Sequence, residues 1–196
     1  MAFTPAPGEQ FTVRRKVLKI VGASFHVFDE SGGVAAYCQQ KAFRLREDIR
    51  LYTNETKAEE LLTMKARSMI DFGVTFDIML PSGASIGSLR RKGLKSMFRD
   101  SWLLYSPEGV ELASLREDSG TMAILRRVHD AFALLSPQKF RITRTDGTHI
   151  ATLRTHFNLF VYRLGVAVHE EDPEVDELMV LAAACLIAAI EGRQST

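Results

Sequence analysis

Residues 178–190, LMVLAAACLIAAI, form an uncharged, almost wholly aliphatic run in a chain that elsewhere alternates apolar and charged residues. Such a run makes a helix enclosed on every side, by lipid or by the rest of the protein. Length separates the two. At about 1.5 Å per residue it reaches about 20 Å, against a hydrocarbon core of about 30 Å, and stretches this short are more often buried core helices. Ahead of it, Asp172 reads as an N-cap and Pro173 as the first helical residue, while Glu174, Asp176 and Glu177 suit the positive end of the helix dipole. The expectation is a core helix at about residues 173–191 and no transmembrane span.

What surrounds that helix is written in a repeat. GASIGSLRR (Gly83–Arg91), GVELASLRE (Gly109–Glu117) and GTHIATLRT (Gly147–Thr155) share one frame, and each follows an alternating apolar run and a turn. FHVFDESGGVAAYCQQ is a looser copy and LYTNETKAEELLTMKA a degenerate one. Strand, glycine turn, strand is the plain reading, because glycine supplies the positive φ such turns need. Hairpins at this spacing build an antiparallel sandwich or barrel. The small residues Gly87, Ala113 and Ala151 recur in one strand phase, which is expected to face inward where something bulky approaches the sheet. Together with the apolar helix, this predicts a mainly β fold, a barrel closed around a buried C-terminal helix.

Bulk properties narrow the function. The net charge of +1 argues against a general nucleic-acid binder. MAFTPAPGEQ carries no signal-peptide pattern, and Cys38 and Cys185 have no partner at metal spacing, so both read as reduced, structural thiols in a cytoplasmic protein. The organisation expected is a short flexible tail over residues 1–10 and a single domain over residues 11–196.

RRKGLKSMFRDSWLLYSPEG, CQQKAFRLREDIRLY and DPEVDELMVLAAACLIAAIEG resemble elements of phospholipid scramblases and LURP-one-related proteins, in the same order along the chain. The resemblance implies the tubby-like fold, a closed antiparallel barrel of about twelve strands around a hydrophobic C-terminal helix. Departures are visible too. The Pro-rich N-terminal region and Cys-rich cluster of animal scramblases are missing. The acids Glu170, Glu171, Asp172, Glu174 and Asp176 lack that family's alternation with aromatics and the spacing of an EF-hand loop, and helix capping explains them.

Catalytic signatures are weak. GASIG (residues 83–87) matches a nucleophile elbow with Ser85, but the motif needs a strand–turn–helix context and here falls in a hairpin, where sister copies carry Glu111 and His149. The five histidines show no metal spacing, and His149 and His156 read as surface residues on a strand. The expectation is a non-enzymatic protein with no metal or cofactor. Basic clustering remains: Arg90, Arg91, Lys92, Lys95 and Arg99, then Arg14, Arg15, Lys16 and Lys19, then Arg126 and Arg127. Such runs make a local field for phosphates, with Met97, Phe98 or Trp102 as aromatic and apolar residues to dip into a headgroup layer. Tubby proteins hold phosphoinositide headgroups with basic residues of this fold. The functional reading is a peripheral binder of an anionic membrane surface, phosphoinositide or phosphate ligand, centred on Arg90–Arg99. The alternatives are a protein-interaction scaffold and, third, a hydrolase using Ser85; the plain one is a solvated face.

Overall fold

The computed structural model describes residues 5–16, 23–40, 48–67, 74–92, 101–118, 138–156 and 161–194. Among them are twelve strands and one helix: β1 (Phe11–Lys16), β2 (Ala23–Asp29), β3 (Val34–Gln40), β4 (Asp48–Tyr52), β5 (Glu60–Ala66), β6 (Thr75–Met79), β7 (Ser85–Arg91), β8 (Ser101–Tyr105), β9 (Glu111–Glu117), β10 (Lys139–Arg144), β11 (His149–His156), β12 (Val161–Val168) and α1 (Glu177–Gln194). Each strand pairs antiparallel with its neighbours in sequence, and β12 pairs with β1 to close the barrel. Closure leaves no unpaired sheet edge.

The repeat is the hairpin. Leu80 N–H donates to the Ala84 carbonyl and Gly83 N–H to the Leu80 carbonyl, both at 2.9 Å, with Gly83 at φ +88°. This is a type I turn followed by a left-handed residue, and the register slips next to it, between Ile78 and Met79. Gly32, Gly109 and Gly147 take the same place in β2–β3, β8–β9 and β10–β11, each hairpin slipping beside its turn. The degenerate copy does so without glycine: Lys57 adopts φ +58°, its N–H donating to the Asn54 carbonyl at 3.1 Å.

Inside the ring, alternation delivers Val13, Phe25, Ile49, Leu62, Phe76, Leu89, Leu115, Ile142, Leu153 and Val166 to one core, and α1 is buried from Met179 to Ala189. The small-residue phase does point inward. A Cβ at Gly87 would stand 2.3 Å from the Tyr105 carbonyl oxygen and 2.6 Å from Cε of Met179, so the helix rests on the wall there. Cys38 and Cys185 are both free and buried. Burial pushes the Cys38 thiol well up, helped by the neighbouring Cys185 thiol. No helix among the described residues is long and apolar enough to cross a membrane.

Three details depart from the sequence reading. The helix starts at Glu177, and its N-cap is Asp176, whose Oδ1 accepts the Met179 N–H at 2.8 Å. Asp172 caps a separate turn instead, accepting the amides of Glu174 and Val175. Residues 5–10 are docked, not loose: Gln10 N–H donates to Val166 and Gln10 Oε1 accepts from Val168 N–H.

Candidate functional site

Alternation along a strand splits a basic run between the two faces of a sheet. Arg90 is exposed, Arg91 is half-buried in the inward phase opposite Trp102, and Lys92 is exposed just past β7. Lys95 and Arg99 lie outside the described residues, as do Met97, Phe98, Lys19, Arg126 and Arg127. Trp102 is no membrane anchor: it is 1% exposed and packs on Phe76 with ring centroids 6.1 Å apart. In β1 the same split occurs. Arg14 sits in the outward phase, while the Arg15 guanidinium lies 6.0 Å from the Phe25 ring centroid and donates to the carbonyls of Ala188 and Ala189 at 3.2 and 3.5 Å. Arg15 thus serves the negative end of α1. The runs on β1 and β7 also stand across the ring from each other, six strands apart in either direction. They do not form one patch.

The structure assembles a different one. Each repeat copy ends in Leu-Arg, and the inward leucines Leu89, Leu115 and Leu153 leave Arg90, Arg116 and Arg154 exposed. Arg116 faces Arg141 across β9–β10, and Lys139 faces Arg154 across β10–β11. Four cations therefore occupy outward positions on three adjoining strands. Like charges directly opposite each other are unfavourable. Asp118 relieves part of this by pairing with Arg141 at 2.7 Å. Among the described residues the Arg116 and Arg154 side chains have no hydrogen bond or ion pair. A groove of about 580 Å³ runs between β9 and β10, with Ser114, Arg116, Arg141 and Thr143 along it and the acids Glu111, Glu117 and Asp118 beside them. Arg144 at its end is already engaged by Asp172 and by Glu174 at 2.8 Å.

Two histidines border this face. His149 and His169 stack with centroids 4.6 Å apart, and both Nε2 atoms lie within hydrogen-bond reach of Thr152 Oγ1. Burial first, then His169, hold His149 below the usual histidine value, and Arg141 and Lys139 add to the effect. Ser85 offers no comparable grouping. It is exposed at the start of β7, in a hairpin, and its Oγ accepts the Gly87 N–H at 3.3 Å.

Reading the sequence for contiguous basic runs missed Arg116, Lys139, Arg141 and Arg154, because a patch on a sheet takes one residue from each strand. The Leu-Arg ending shared by the repeats was the signal that would have found two of them. The LURP-one-related family model matches residues 34–188, from β3 into α1. The chain belongs to that family. No curated protein matches the chain.

Proposed function

We propose that this LURP-one-related barrel is a non-catalytic module that binds anionic groups, engaging phosphate ligands or the headgroups of an anionic membrane surface with the outer wall of β9–β11. One observation carries the reading: Arg116, Lys139, Arg141 and Arg154 gather on that wall, with Arg116 and Arg154 uncommitted among the described residues. Arg90, two strands further round, extends the field, and Lys92 adds to it. Charge supplies this binding, and Trp102, in the core, adds no insertion. Each basic residue near a charged membrane contributes about 1 kcal/mol, so Arg116, Lys139 and Arg154 contribute about 3 kcal/mol at low salt, Arg141 being paired with Asp118. In this reading the protein works in the cytoplasm and docks at the membrane periphery.

The test is co-sedimentation with anionic and neutral vesicles at low and high salt. Two variants are compared with the wild type: R116S/R154S, and R90S/R91S/K92S/K95S. The expected result is salt-sensitive binding to anionic vesicles alone, reduced more by R116S/R154S. Equal binding by R116S/R154S and the wild type would remove the wall from the mechanism. A wild type that stays in the supernatant throughout would turn the search to protein partners.

A further inference from the structure

The docked segment ahead of β1 carries one carboxylate onto the cationic side of the barrel. Glu9 N–H donates to the Ala6 carbonyl at 3.0 Å, and the Gln10 contacts fix the chain along β12. The Glu9 side chain then lies flat over Gly165. A Cβ at Gly165 would stand 2.0 Å from Glu9 Cδ and Oε1 and 2.1 Å from Oε2, so glycine here is what lets the Glu9 carboxylate lie against the strand. His156 Nε2 donates to Oε1 at 2.7 Å, and Ala6 N–H and Thr12 Oγ1 donate to Oε2 at 3.3 and 3.5 Å. Only 9% of the Glu9 side chain is exposed.

The surroundings are cationic. Gly165 faces Arg154 on one side and Thr12 on the other, and Arg163, two residues away in the same phase, faces His156 and Arg14. Among the described side chains, no other acid occupies the outward positions of β1, β11 and β12 here: they are Thr12, Arg14, Thr152, Arg154, His156, Val161, Arg163, Gly165 and Ala167. A glycine beneath and donors and cations around it let an oxyanion approach the backbone closely and have its charge met by charge-assisted hydrogen bonds.

We propose that the cradle over Gly165, formed by His156, Thr12 and the Ala6 amide, is an oxyanion-binding site that Glu9 keeps occupied, and that a carboxylate or phosphate group on a ligand competes with Glu9 for it. The site is separate from the β9–β11 wall, although Arg154 borders both.

The experiment uses the full chain, with inorganic phosphate as probe and amide chemical shifts as readout. In the wild type, phosphate leaves the amides of Ala6, Thr12 and Gly165 unmoved. In E9A these amides shift saturably, with affinity about tenfold or more above the wild type, and H156A in the same background removes the gain. E9Q keeps the arm's shape without its charge and shows a smaller gain, so it carries the test if E9A does not fold. Absence of a saturable shift at these amides in the folded variants overturns the proposal. Anionic vesicles are titrated in parallel: a response to vesicles and phosphate identifies a site for either source, and a response to phosphate alone assigns it to small ligands. R116S/R141S separates the readings, since it weakens vesicle binding by the wall and leaves the phosphate shifts at Gly165 intact.

Discussion

The wall of β4–β6 and the wall of β9–β11 are built from the same hairpin and treat charge in opposite ways. On the first, Arg50 lies 3.0 Å from Asp48 and 3.1 Å from Glu60, and Arg67 pairs with Asp77. Thr63 donates to Glu60 as well. On the second, Arg116, Lys139, Arg141 and Arg154 meet Asp118 at Arg141. The inner faces are both apolar, with Ile49, Leu62 and Phe76 on one and Leu115, Ile142 and Leu153 on the other. The hairpin therefore decides where side chains point, and the outward residue types decide what the wall does. Balanced pairs on an exposed surface cancel the field and add little stability. Uncancelled cations keep a field and carry the cost of their repulsion.

The largest effect should come from inverting the unbalanced wall. R116E/R154E changes the charge there by four, and at about 1 kcal/mol per charge its binding to anionic vesicles should fall by about 10³-fold at low salt. The same exchange at Arg67 on the balanced wall should leave binding within about threefold of the wild type. Equal losses from the two walls would erase the distinction.

Next in size is the one arginine near β9–β11 that is paired like those of β4–β6. Arg144 is held by Asp172 and Glu174. Burial works against the charge of Asp172, but Arg144 and the amides of Val175 and Glu174 outweigh it and hold its carboxyl below the ordinary value. R144M leaves the 7%-exposed Asp172 without its cation and should lower the urea midpoint of unfolding, whereas R116M should leave that midpoint nearly unchanged. A smaller gain should follow from unbalancing the other wall where the first no longer binds. E60Q/D77N removes two negative charges beside Arg50 and Arg67, and in the R116E/R154E background it should raise anionic-vesicle binding by about thirtyfold at low salt.

The contrast also explains what the sequence could reveal. Hairpins were legible because turn chemistry is local: a glycine in left-handed conformation and a bulge recur at each copy. The β4–β5 turn was harder to see because Lys57 does glycine's work, beside an Asn54 side chain that accepts from Thr56. The helix was legible from its uniform apolarity, and its start was misplaced because Asp172 and Asp176 are equally good caps by residue type. Only the fold shows that Asp172 is taken by Arg144 and by a turn. The cationic wall was illegible as a run. Strand alternation sends Arg91 and Arg15 toward the interior, and antiparallel pairing joins Arg116 to Arg141 from different hairpins. Trp102 looked like an anchor because it follows a basic run, but the phase that exposes Arg90 puts its neighbour's partner, Trp102, inside.

The finest test uses protons, because histidine adjoins the cationic wall, and none lies on β4–β6. His149 is held below its ordinary value of 6.5 by burial and by His169. Between that folded value and 6.5 the unfolded chain binds a proton that the native chain does not, so stability should fall as pH drops through this window. H149Q should flatten the slope of unfolding free energy against pH there, while leaving stability at pH 8 nearly unchanged. Vesicle binding should move the other way. Below that window the native chain gains the proton beside Arg141 and Lys139, which adds to the field of β9–β11, so affinity for anionic vesicles should rise there. Opposite pH trends in unfolding and in binding, both reduced by H149Q, would place the titrating charge at this wall. Parallel trends, or trends that H149Q does not alter, would separate the histidine from the cations it adjoins.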